Sequence, residues 1–407
     1  MNVLVLNTHS LLNSGDAGIV FSQIRLLREF LPGAALSLTS RTPRLDEAVF
    51  EPLGVRVFPP LIPARGILRG GRGRSEFLAA LRSSDLILAS GGGYFWSNRR
   101  AFPGRIFWQN ALPILWARRL RRPLLFMPQS FGPMFSRPAA GLLAGCLGGR
   151  SVVRIFAREK ASMDYLEAVL RAGPNRDKTA LCPDLAFALS EGDQEAPAFD
   201  LNLPAPILAM TLRTWDFPEA AGPRDSARRA EEYFSAVVET ARRFIRRRGG
   251  SVLVFPQVRG PWAFENDRAI SRRFCEALSR TEDPSRVRFL DLPDTVHPGR
   301  IISLFRQVDA VISTRLHSAV FALLAGRIPA VIGYQPKSAG TMAMLGLASF
   351  CLDIGRLDPD RLFDLVEKSM DGPIDATDVK GRTVAAGLEI RAKIGAALSG
   401  FAHGGAS

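Results

Sequence analysis

An alternating α/β fold built on two doubly wound parallel sheets is the fold class that this sequence predicts. Short apolar runs recur along the chain, and amphipathic helical stretches lie between them. Strands that are apolar throughout are typical of parallel sheets with helices on both faces, because neither face meets water. The predicted strands are residues 3–6, 86–89, 124–127, 153–157, 207–212, 252–255, 287–290, 310–312 and 330–332. The predicted helices include residues 18–30, 159–171, 227–248, 267–279 and 318–326.

A polar, proline-rich segment divides the chain. Its 407 residues are enough for two domains that each bury a core of their own. The alternation stops at residues 190–206, where proline and acidic residues accumulate as they do in linkers. We therefore predict a Rossmann-like domain over residues 1–190, a linker over 191–206 and a second Rossmann-like domain over 207–375, facing the first across a cleft. Residues 376–407 are expected to form a helix and tail that cross back to the N-terminal domain.

The composition narrows the class of protein. Hydrophobic residues make up 47% and charged residues 23% of the chain, as in soluble globular proteins. The most apolar stretches are interrupted by arginine before they reach the roughly 20 residues of a membrane span, and the N-terminus reads as a strand rather than a signal peptide. A cytoplasmic location is therefore expected. The four cysteines and four histidines lack metal-ligand spacing, so we predict no metal and no cofactor.

The net charge of +14 comes mainly from arginine, which occurs in several runs. Solvated helix faces would account for these runs, and so would anionic substrates or an anionic membrane surface that carries a lipid-linked acceptor. Peripheral association with the inner face of the membrane is therefore one open alternative. The basic runs have no interleaved aromatic residues and match no nucleic-acid-binding module, so no nucleic-acid partner is expected.

In open α/β sheets, ligands bind beyond the carboxyl ends of the strands, so the residues that follow each strand carry the functional signal. In the first half, Asp16 follows the first strand. It is expected either to line the cleft or to cap the N-terminus of the helix that begins there. Gly91, Gly92 and Gly93 follow the second predicted strand, and such a run lets backbone amides approach an anion, although tight turns use the same residues.

Further polar residues follow later strands of the first half. Gln129 follows strand 124–127, Arg158 and Glu159 follow strand 153–157, and Asp184 follows an apolar run that ends at Cys182. An arginine at a strand end can hold a carboxylate or phosphate with its two-pronged guanidinium, and a surface ion pair is the alternative.

The second half carries the densest group of cationic residues. Arg213 follows strand 207–212, Arg315 and His317 lie between strand 310–312 and a helix, and Lys337 follows strand 330–332. A helix N-terminus adds its own attraction for an anion at such a turn. Burying Arg315, His317 and Lys337 without partners would be costly, which favours an anion site over inert packing.

These residues, in this order, resemble the polysaccharide pyruvyl transferase family. The shared elements are Gly15-Asp16, Gly91-Gly92-Gly93, Gln129 with Gly132-Pro133, Arg158-Glu159 with Ser162, Pro183-Asp184, Arg213, and a segment with Arg315, His317, Gly326, Pro329, Tyr334, Lys337 and Gly346-Leu347. The resemblance covers most of the chain, and the last segment is its most diagnostic part. It implies a fold like that of the two-domain glycosyltransferases called GT-B. It also implies transfer of pyruvate from phosphoenolpyruvate to a sugar of a lipid-linked exopolysaccharide or cell-surface glycan, as a ketal, with release of phosphate.

The resemblance implies roles for the candidate residues. The second domain would be the donor side and the first the acceptor side. Donor-binding residues would be Arg158, Arg213, Arg315, Lys337, Gly91, Gly92 and Gly93. His317 is expected to be the general acid, with a phosphate contact as the alternative. Asp16, Glu159 and Asp184 are the candidates for the base, and the sequence does not rank them. Tyr94, Trp96 and Gln129 are the candidates for acceptor binding, and ordinary loop packing is the alternative for the aromatic residues.

Three other functions are also compatible with these sequence features. A GT-B glycosyltransferase would use a nucleotide-sugar donor on the same fold, although no clear acidic ribose-binding residue is present. A non-hydrolysing sugar-nucleotide epimerase shares the fold. A non-catalytic carbohydrate- or anion-binding protein of the same fold is the third, and it would have no need of Arg315, His317 and Lys337 together.

Overall fold

The computed structural model describes residues 1–61, 72–97, 104–171, 175–189, 199–372 and 374–402. The chain divides into two compact units. The first unit comprises Met1–Leu11, Asp16–Ala188 and the described residues from Ala386 onward, and the second comprises Leu12–Gly15 and Leu189–Ala385. Most of the basic segment 65–74, the linker residues 191–198 and the tail 403–407 lie outside the described residues. The assignment of acceptor and donor sides to the two domains stays a prediction.

The first unit is built on one parallel sheet. Its strands are β1 (Asn2–Leu6), β2 (Ala35–Thr39), β3 (Val55–Phe58), β4 (Leu86–Ala89), β5 (Gly92–Phe95), β6 (Leu124–Phe131), β7 (Val152–Ala157) and β8 (Thr179–Leu181). They are ordered β3-β2-β1-β4-β6-β7-β8, and β5 also pairs with β6. The helices that accompany them are α1 (Ser14–Phe30), α2 (Pro43–Phe50), α3 (Arg72–Ser83), α4 (Arg105–Arg119), α5 (Arg137–Leu147) and α6 (Lys160–Val169).

The second unit repeats the architecture with six strands in the order β11-β10-β9-β12-β13-β14. These are β9 (Ile207–Thr211), β10 (Ser251–Val254), β11 (Val287–Phe289), β12 (Ala310–Ser313), β13 (Ala330–Gly333) and β14 (Cys351–Asp353). Its helices are α7 (Pro223–Arg248), α8 (Arg268–Ser279), α9 (Pro298–Arg306), α10 (Leu316–Leu324), α11 (Pro336–Met344) and α12 (Pro359–Asp371). The last helix, α13 (Ala376–Ala402), begins in the second unit and continues in the first.

Burial explains why the predicted strands were visible in the sequence. Every residue of β4, β9, β10, β12 and β13 is buried, and each strand is apolar except for one terminal Ser or Thr in β9, β10 and β12. The strands β2 and β3 were not predicted, because each has residues that are not fully buried and so lacks a continuous apolar run. The short strands β8 and β14, which are also not fully buried, were missed, whereas the equally short and half-buried β11 was predicted. Every helix within the described ranges is too short or too polar to span a bilayer.

The strand order of the second sheet indicates where a ligand would bind. In the second unit the order reverses between β9 and β12, since β10 lies on one side of β9 and β13 lies beyond β12. Parallel sheets of this kind bind ligands at the reversal point, beyond the carboxyl ends of the strands. Arg213 follows β9 and Arg315 follows β12, so both lie at the reversal point of the second sheet.

Candidate active site

Arg315 is oriented by a buried carboxylate. The residue precedes α10 as its N-cap, and its Nε and Nη2 donate to Asp267 Oδ2 at 3.1 Å and to Oδ1 at 2.5 Å. Nη2 also donates to the Glu265 carbonyl at 2.9 Å. Burial lowers the pKa of Arg315, but the charges of Asp267, Tyr334 and Glu265 and the hydrogen bond to Asp267 together outweigh burial, so its pKa lies above the ordinary value. Arg315 is therefore a fixed, permanently charged group.

The buried Asp267 carboxylate binds Arg315 and does not cap the helix that it precedes. It precedes α8, yet its side chain makes no capping hydrogen bond to that helix. Instead Oδ2 accepts the Val258 amide at 2.9 Å, and both oxygens accept Arg315. The carboxylate is 1% exposed, so its charge is screened from water and directed at Arg315.

Tyr334 lies at the centre of a group of cations that we call the cation cluster, composed of Arg213, Arg315 and Lys337. The Arg213 Cζ lies 4.0 Å from the centre of the Tyr334 ring, and Lys337 Nζ lies 5.5 Å from it. Trp215 packs against the same tyrosine with ring centres 4.8 Å apart, and Arg213 also stacks on Trp215 at 4.7 Å. Burial raises the pKa of the Tyr334 phenol, but the charges of Lys337, Arg213 and Arg315 outweigh it and lower that pKa to about 6.

His317 belongs to the first turn of α10, one residue beyond Leu316. Its ring is packed directly against Gly15, because a Cβ placed on Gly15 would lie 2.1 Å from His317 Nδ1 and 2.4 Å from Cγ. Gly15 belongs to the second unit, as the last residue of its segment Leu12–Gly15. The lack of a side chain at this position therefore makes room for the imidazole, which explains why a glycine precedes Asp16.

Arg259 is a buried cation that sequence reasoning left without a role. It is 3% exposed, and its guanidinium donates to the Ser14 hydroxyl at 2.9 Å and to the Pro256 carbonyl at 3.2 Å. Burial lowers the pKa of Arg259 to about 10, and the neighbouring Arg268 acts in the same direction. The Arg259 amide also donates to the Leu12 carbonyl at 2.7 Å, so this arginine fixes the segment that carries Gly15.

In the first unit, Arg158 is enclosed with two carboxylates. It is 1% exposed, and its Nη1 donates to Asp184 at 2.6 Å while its Nε donates to the Ser130 hydroxyl at 2.8 Å. Glu159 lies 3.4 Å away and accepts from Ser130 at 3.0 Å. Burial lowers the pKa of Arg158, but the charges of Asp184 and Glu159 raise it above the ordinary value. This network matches a structural ion pair, and the donor-binding role of Arg158 and the catalytic roles of Asp184 and Glu159 stay predictions.

Asp16 and the glycine run also lie in the first unit. The Asp16 carboxylate lies 3.4 Å from His9 Nδ1, while Arg41 contacts the other ring nitrogen at 3.0 Å. Burial lowers the pKa of His9 well below its ordinary value, with a smaller contribution from Arg41, so the imidazole is neutral. The contact between His9 and Asp16 therefore joins a neutral ring to the carboxylate and is not an ion pair.

The glycine run forms a strand start rather than an isolated turn. Gly92 and Gly93 begin β5, and Gly92 pairs with Gln129 of β6. A Cβ on Gly91 would lie 2.8 Å from the Pro128 carbonyl, so close packing accounts for that glycine. The sequence predicted a backbone that cradles the donor, and that role stays a prediction.

The proposed acceptor residues differ in exposure. Tyr94 is 8% exposed, belongs to the hydrophobic core of the first unit and donates its hydroxyl to the Ser90 carbonyl at 2.6 Å. Gln129 is fully buried within β6. Trp96 is 43% exposed, so it is the one of the three that is open to solvent. For Tyr94 the structure therefore favours the packing alternative considered above.

Sequence reasoning missed three residues of the second-unit site, and only one of them carried a signal. Tyr334 appeared as a family residue without a role, whereas Trp215 and Asp267 had no pattern that tied them to Arg213 or Arg315. The resulting site presents three cations, an acidic phenol and an imidazole at a helix N-terminus. Such a set can hold a small dianion and exchange protons with it.

Within the described residues, no group of three or more His, Cys, Asp and Glu side chains forms a metal-binding cluster.

The two sheets and their strand orders define a protein with two Rossmann-like domains, and solved structures share this fold. Anabaena HepE, solved in complex with UDP and glucose, matches with a TM-score of 0.58 at 15% identity, over 98% of this chain and 99% of that one. The UDP-GlcNAc 2-epimerase of Methanocaldococcus jannaschii matches with a TM-score of 0.55 at 11% identity, over 97% of this chain and 99% of that one. At such identities the likeness concerns the fold, and the GT-B-like class predicted from the sequence is confirmed.

The family follows from a match at the level of sequence. The family model of the polysaccharide pyruvyl transferases matches residues 13–336, so the chain belongs to that family. The amylovoran biosynthesis protein AmsJ of Erwinia amylovora is 24% identical over 289 residues, which are 69% of this chain. The match covers 64% of AmsJ, so the chain spans less than two thirds of that relative. The resemblance stated from the residues is thereby confirmed.

Proposed function

We propose that the protein transfers the pyruvyl group of phosphoenolpyruvate to a sugar of a lipid-linked exopolysaccharide or cell-surface glycan, forming a ketal and releasing phosphate. The cation cluster around Tyr334 is the observation that carries the proposal. Arg213, Arg315 and Lys337 act together on one point beyond the carboxyl ends of β9, β12 and β13. Family membership and the match to a protein of amylovoran biosynthesis support the same assignment.

The charge of the cluster suits this donor. Phosphoenolpyruvate carries a carboxylate and a phosphate a few bonds apart, and both groups need cationic partners with fixed geometry. Asp267 and the ionised Tyr334 offset two of the three positive charges of the cluster, so a net positive site is left for the donor. Arg315 is held at two atoms by Asp267 and at one by a carbonyl, which keeps its orientation fixed before the donor binds.

His317 supplies the acid in the proposed reaction. The carbon–carbon double bond of the donor must gain a proton at its methylene carbon before the neighbouring carbon becomes electrophilic. His317 lies in the first turn of α10, two residues after Arg315, so donor contacts and proton donation come from one short segment. Phosphate then leaves toward the cations and the helix N-terminus, which stabilise its charge.

The direct test is to incubate the protein with phosphoenolpyruvate and a panel of glycans and lipid-linked sugars, and to measure phosphate release. We expect phosphate release that depends on one acceptor. Replacing Arg213 by methionine should lower kcat/KM by about 10- to 100-fold, because one charge-assisted contact to the donor is lost. Transfer from nucleotide sugars without any release of phosphate from phosphoenolpyruvate would overturn the proposal in favour of a glycosyltransferase.

A matched control comes from a second arginine that stacks on an aromatic ring. Arg273 Cζ lies 3.8 Å above the Phe234 ring and its guanidinium pairs with Glu231, on an exposed surface of the same unit. Arg273→Met should therefore leave kcat/KM unchanged. The cytoplasmic location, peripheral membrane association and the role of Trp96 toward the acceptor stay proposals that rest on the sequence.

A further inference from the structure

The proposed reaction needs a base for the attacking sugar hydroxyl, and the carboxylates predicted for it have other partners. Asp184 and Glu159 are both tied to Arg158 in the core of the first unit. Asp16 contacts His9. Among the described residues of the second unit, Tyr334 combines an oxygen that can accept a proton with a position among the donor-binding cations.

We propose that Tyr334 is a catalytic residue whose phenolate oxygen accepts the proton of the first attacking hydroxyl. The inference rests on the pyruvyl transfer proposed above and adds the base that this transfer requires. It stands on the geometry of the cation cluster, in which one aromatic ring is enclosed by Arg213 at 4.0 Å, Lys337 at 5.5 Å and Trp215 at 4.8 Å.

The cations that act on Tyr334 come from the ends of three strands. Arg213 follows β9, Arg315 follows β12 and Lys337 lies in the first turn of α11, and among the described residues these act on the phenol. Their combined charge keeps the phenol ionised at neutral pH. A tyrosine held in this state has a proton-accepting oxygen without the help of a further base.

Donor binding should increase the basicity of this oxygen when it is needed. Phosphoenolpyruvate brings negative charge to the same cations, so their stabilisation of the phenolate falls and its affinity for a proton rises. The stronger base forms only in the complex with the donor. The ionised Tyr334 of the free enzyme and the more basic phenolate of the donor complex are therefore two states of one coupled system.

Tyr334 and His317 together account for every proton that moves in the transfer. The first hydroxyl oxygen bonds to the central carbon of the donor and gives its proton to Tyr334, while the double-bond electron pair takes a proton from His317 at the methylene carbon. The second hydroxyl oxygen then displaces phosphate, which leaves with the electrons of its carbon–oxygen bond, and its proton restores His317. The proton on Tyr334 passes to the departing phosphate. Two hydroxyl protons are thus accounted for, one in the new methyl group and one on phosphate.

The test uses the absorption of tyrosinate in the ultraviolet, which needs no acceptor. The chain has four tyrosines, and the pKa values of Tyr94, Tyr165 and Tyr233 are raised by burial. A pH titration of the wild-type protein should therefore show one tyrosine that ionises with a midpoint of about 6. Tyr334→Phe should abolish this transition, and Tyr165→Phe, a control in the first unit, should retain it.

Added phosphoenolpyruvate should raise the midpoint by about one pH unit or more, because donor and phenolate compete for the same cations. In the activity assay, Tyr334→Phe should lower kcat by about 10²- to 10⁴-fold, the range of a general base. The KM for phosphoenolpyruvate should stay unchanged or fall, since the ring is kept and a competing negative charge is removed. The acidic limb of the wild-type pH profile should be lost in this variant.

The titration and the activity assay can each overturn the proposed role of Tyr334. A titration without a tyrosinate transition near neutral pH overturns it, whatever the activity. So does a Tyr334→Phe variant that keeps its kcat, and in that case a large loss in Asp16→Asn would assign the base to Asp16. A wild-type protein that shows the transition but releases no phosphate from phosphoenolpyruvate with any acceptor overturns the proposed function, and the catalytic role of Tyr334 with it.

Discussion

Gly15 and His317 are packed so closely that a single added methyl group at Gly15 would overlap the imidazole. A Cβ at Gly15 would lie 2.1 Å from Nδ1, 2.4 Å from Cγ and 2.6 Å from Cβ of His317. The contact joins the start of α1 to the first turn of α10 within the second unit. The absence of a side chain at Gly15 therefore leaves room for His317, the proposed general acid.

Gly15→Ala is therefore expected to inactivate the protein without unfolding it. The alanine methyl group would force His317 out of its rotamer, and a misplaced acid costs about 100-fold or more in kcat. Phosphate release measures the loss, and circular dichroism checks the fold. Gly141→Ala is the matched control, because Gly141 also lies in a helix and a Cβ there would meet no atom within 4 Å. Full activity in Gly15→Ala would show that His317 tolerates displacement.

The pair of Asp267 and Arg315 allows a prediction about stability. Asp267→Asn keeps an acceptor for the Val258 amide but leaves Arg315 without its buried counter-charge. Removing one partner of a buried pair typically costs about 3–5 kcal/mol, and the exposed part of Arg315 places this case at the lower end. Urea unfolding of the variant measures the change. The KM for phosphoenolpyruvate should rise as well, because Arg315 loses its fixed orientation.

An exposed ion pair in the same unit provides the control for this experiment. Arg273 and Glu231 are both more than half exposed, at 54% and 58%. Glu231→Gln should change the free energy of unfolding by less than about 1 kcal/mol. Equal losses in Asp267→Asn and Glu231→Gln would contradict the distinction between a buried and an exposed pair.

Arg158 can be tested for a structural role against a donor-binding role. Asp184→Asn should destabilise the first unit by about 3 kcal/mol or more, since Arg158 is then left buried without its main partner. The double variant Arg158→Met with Asp184→Leu should recover part of that loss, because apolar residues can replace a buried pair, while Glu159 keeps only its hydrogen bonds to Ser130 and Ser162. An unchanged KM for phosphoenolpyruvate in the double variant supports the structural role. A stable double variant whose KM rises strongly would instead support the donor-binding role predicted from the sequence.

Asp46 provides a prediction about pH. Burial raises the pKa of its carboxyl to about 6, although hydrogen bonds from Ser40, Leu11 and Thr42 act in the opposite direction. The ordinary value in an unfolded chain is about 3.9, so folding binds a proton between about pH 4 and about pH 6. The contribution of Asp46 to stability therefore falls by about 3 kcal/mol as the pH rises through this window.

Unfolding free energies measured between those pH values check this sign. Asp46→Asn should remove most of the decrease, because asparagine has no proton to lose. Glu76→Gln, in an exposed pair with Arg56, should leave the pH dependence as it is in the wild type. A free energy of unfolding that falls as much in Asp46→Asn as in the wild type would exclude Asp46 as the source.

Much of the fold could be predicted because its signal is local. Strands such as β4 and β12 are buried along their whole length, so a continuous apolar run marks them without knowledge of their neighbours. The residues just after such strands could then be grouped at one edge of a sheet, which brought Arg213, Arg315 and Lys337 together from sequence alone. Strands with partly exposed residues, such as β2, lack this signal and were missed.

The sequence by itself determined the two-domain α/β class, the family and the cations that follow the strands of the second half. The tertiary structure decided which partner each charged group has. Asp267 meets Arg315 from 48 residues away, and the ring of Tyr334 is enclosed by cations from three strand ends. Arg158 looked equivalent to Arg315 as a strand-end arginine, yet it is enclosed with Asp184 in the core of the first unit. Periodicity records whether a residue is buried, whereas hydrogen-bond partners and pKa values depend on distances between distant segments, which only the folded chain defines.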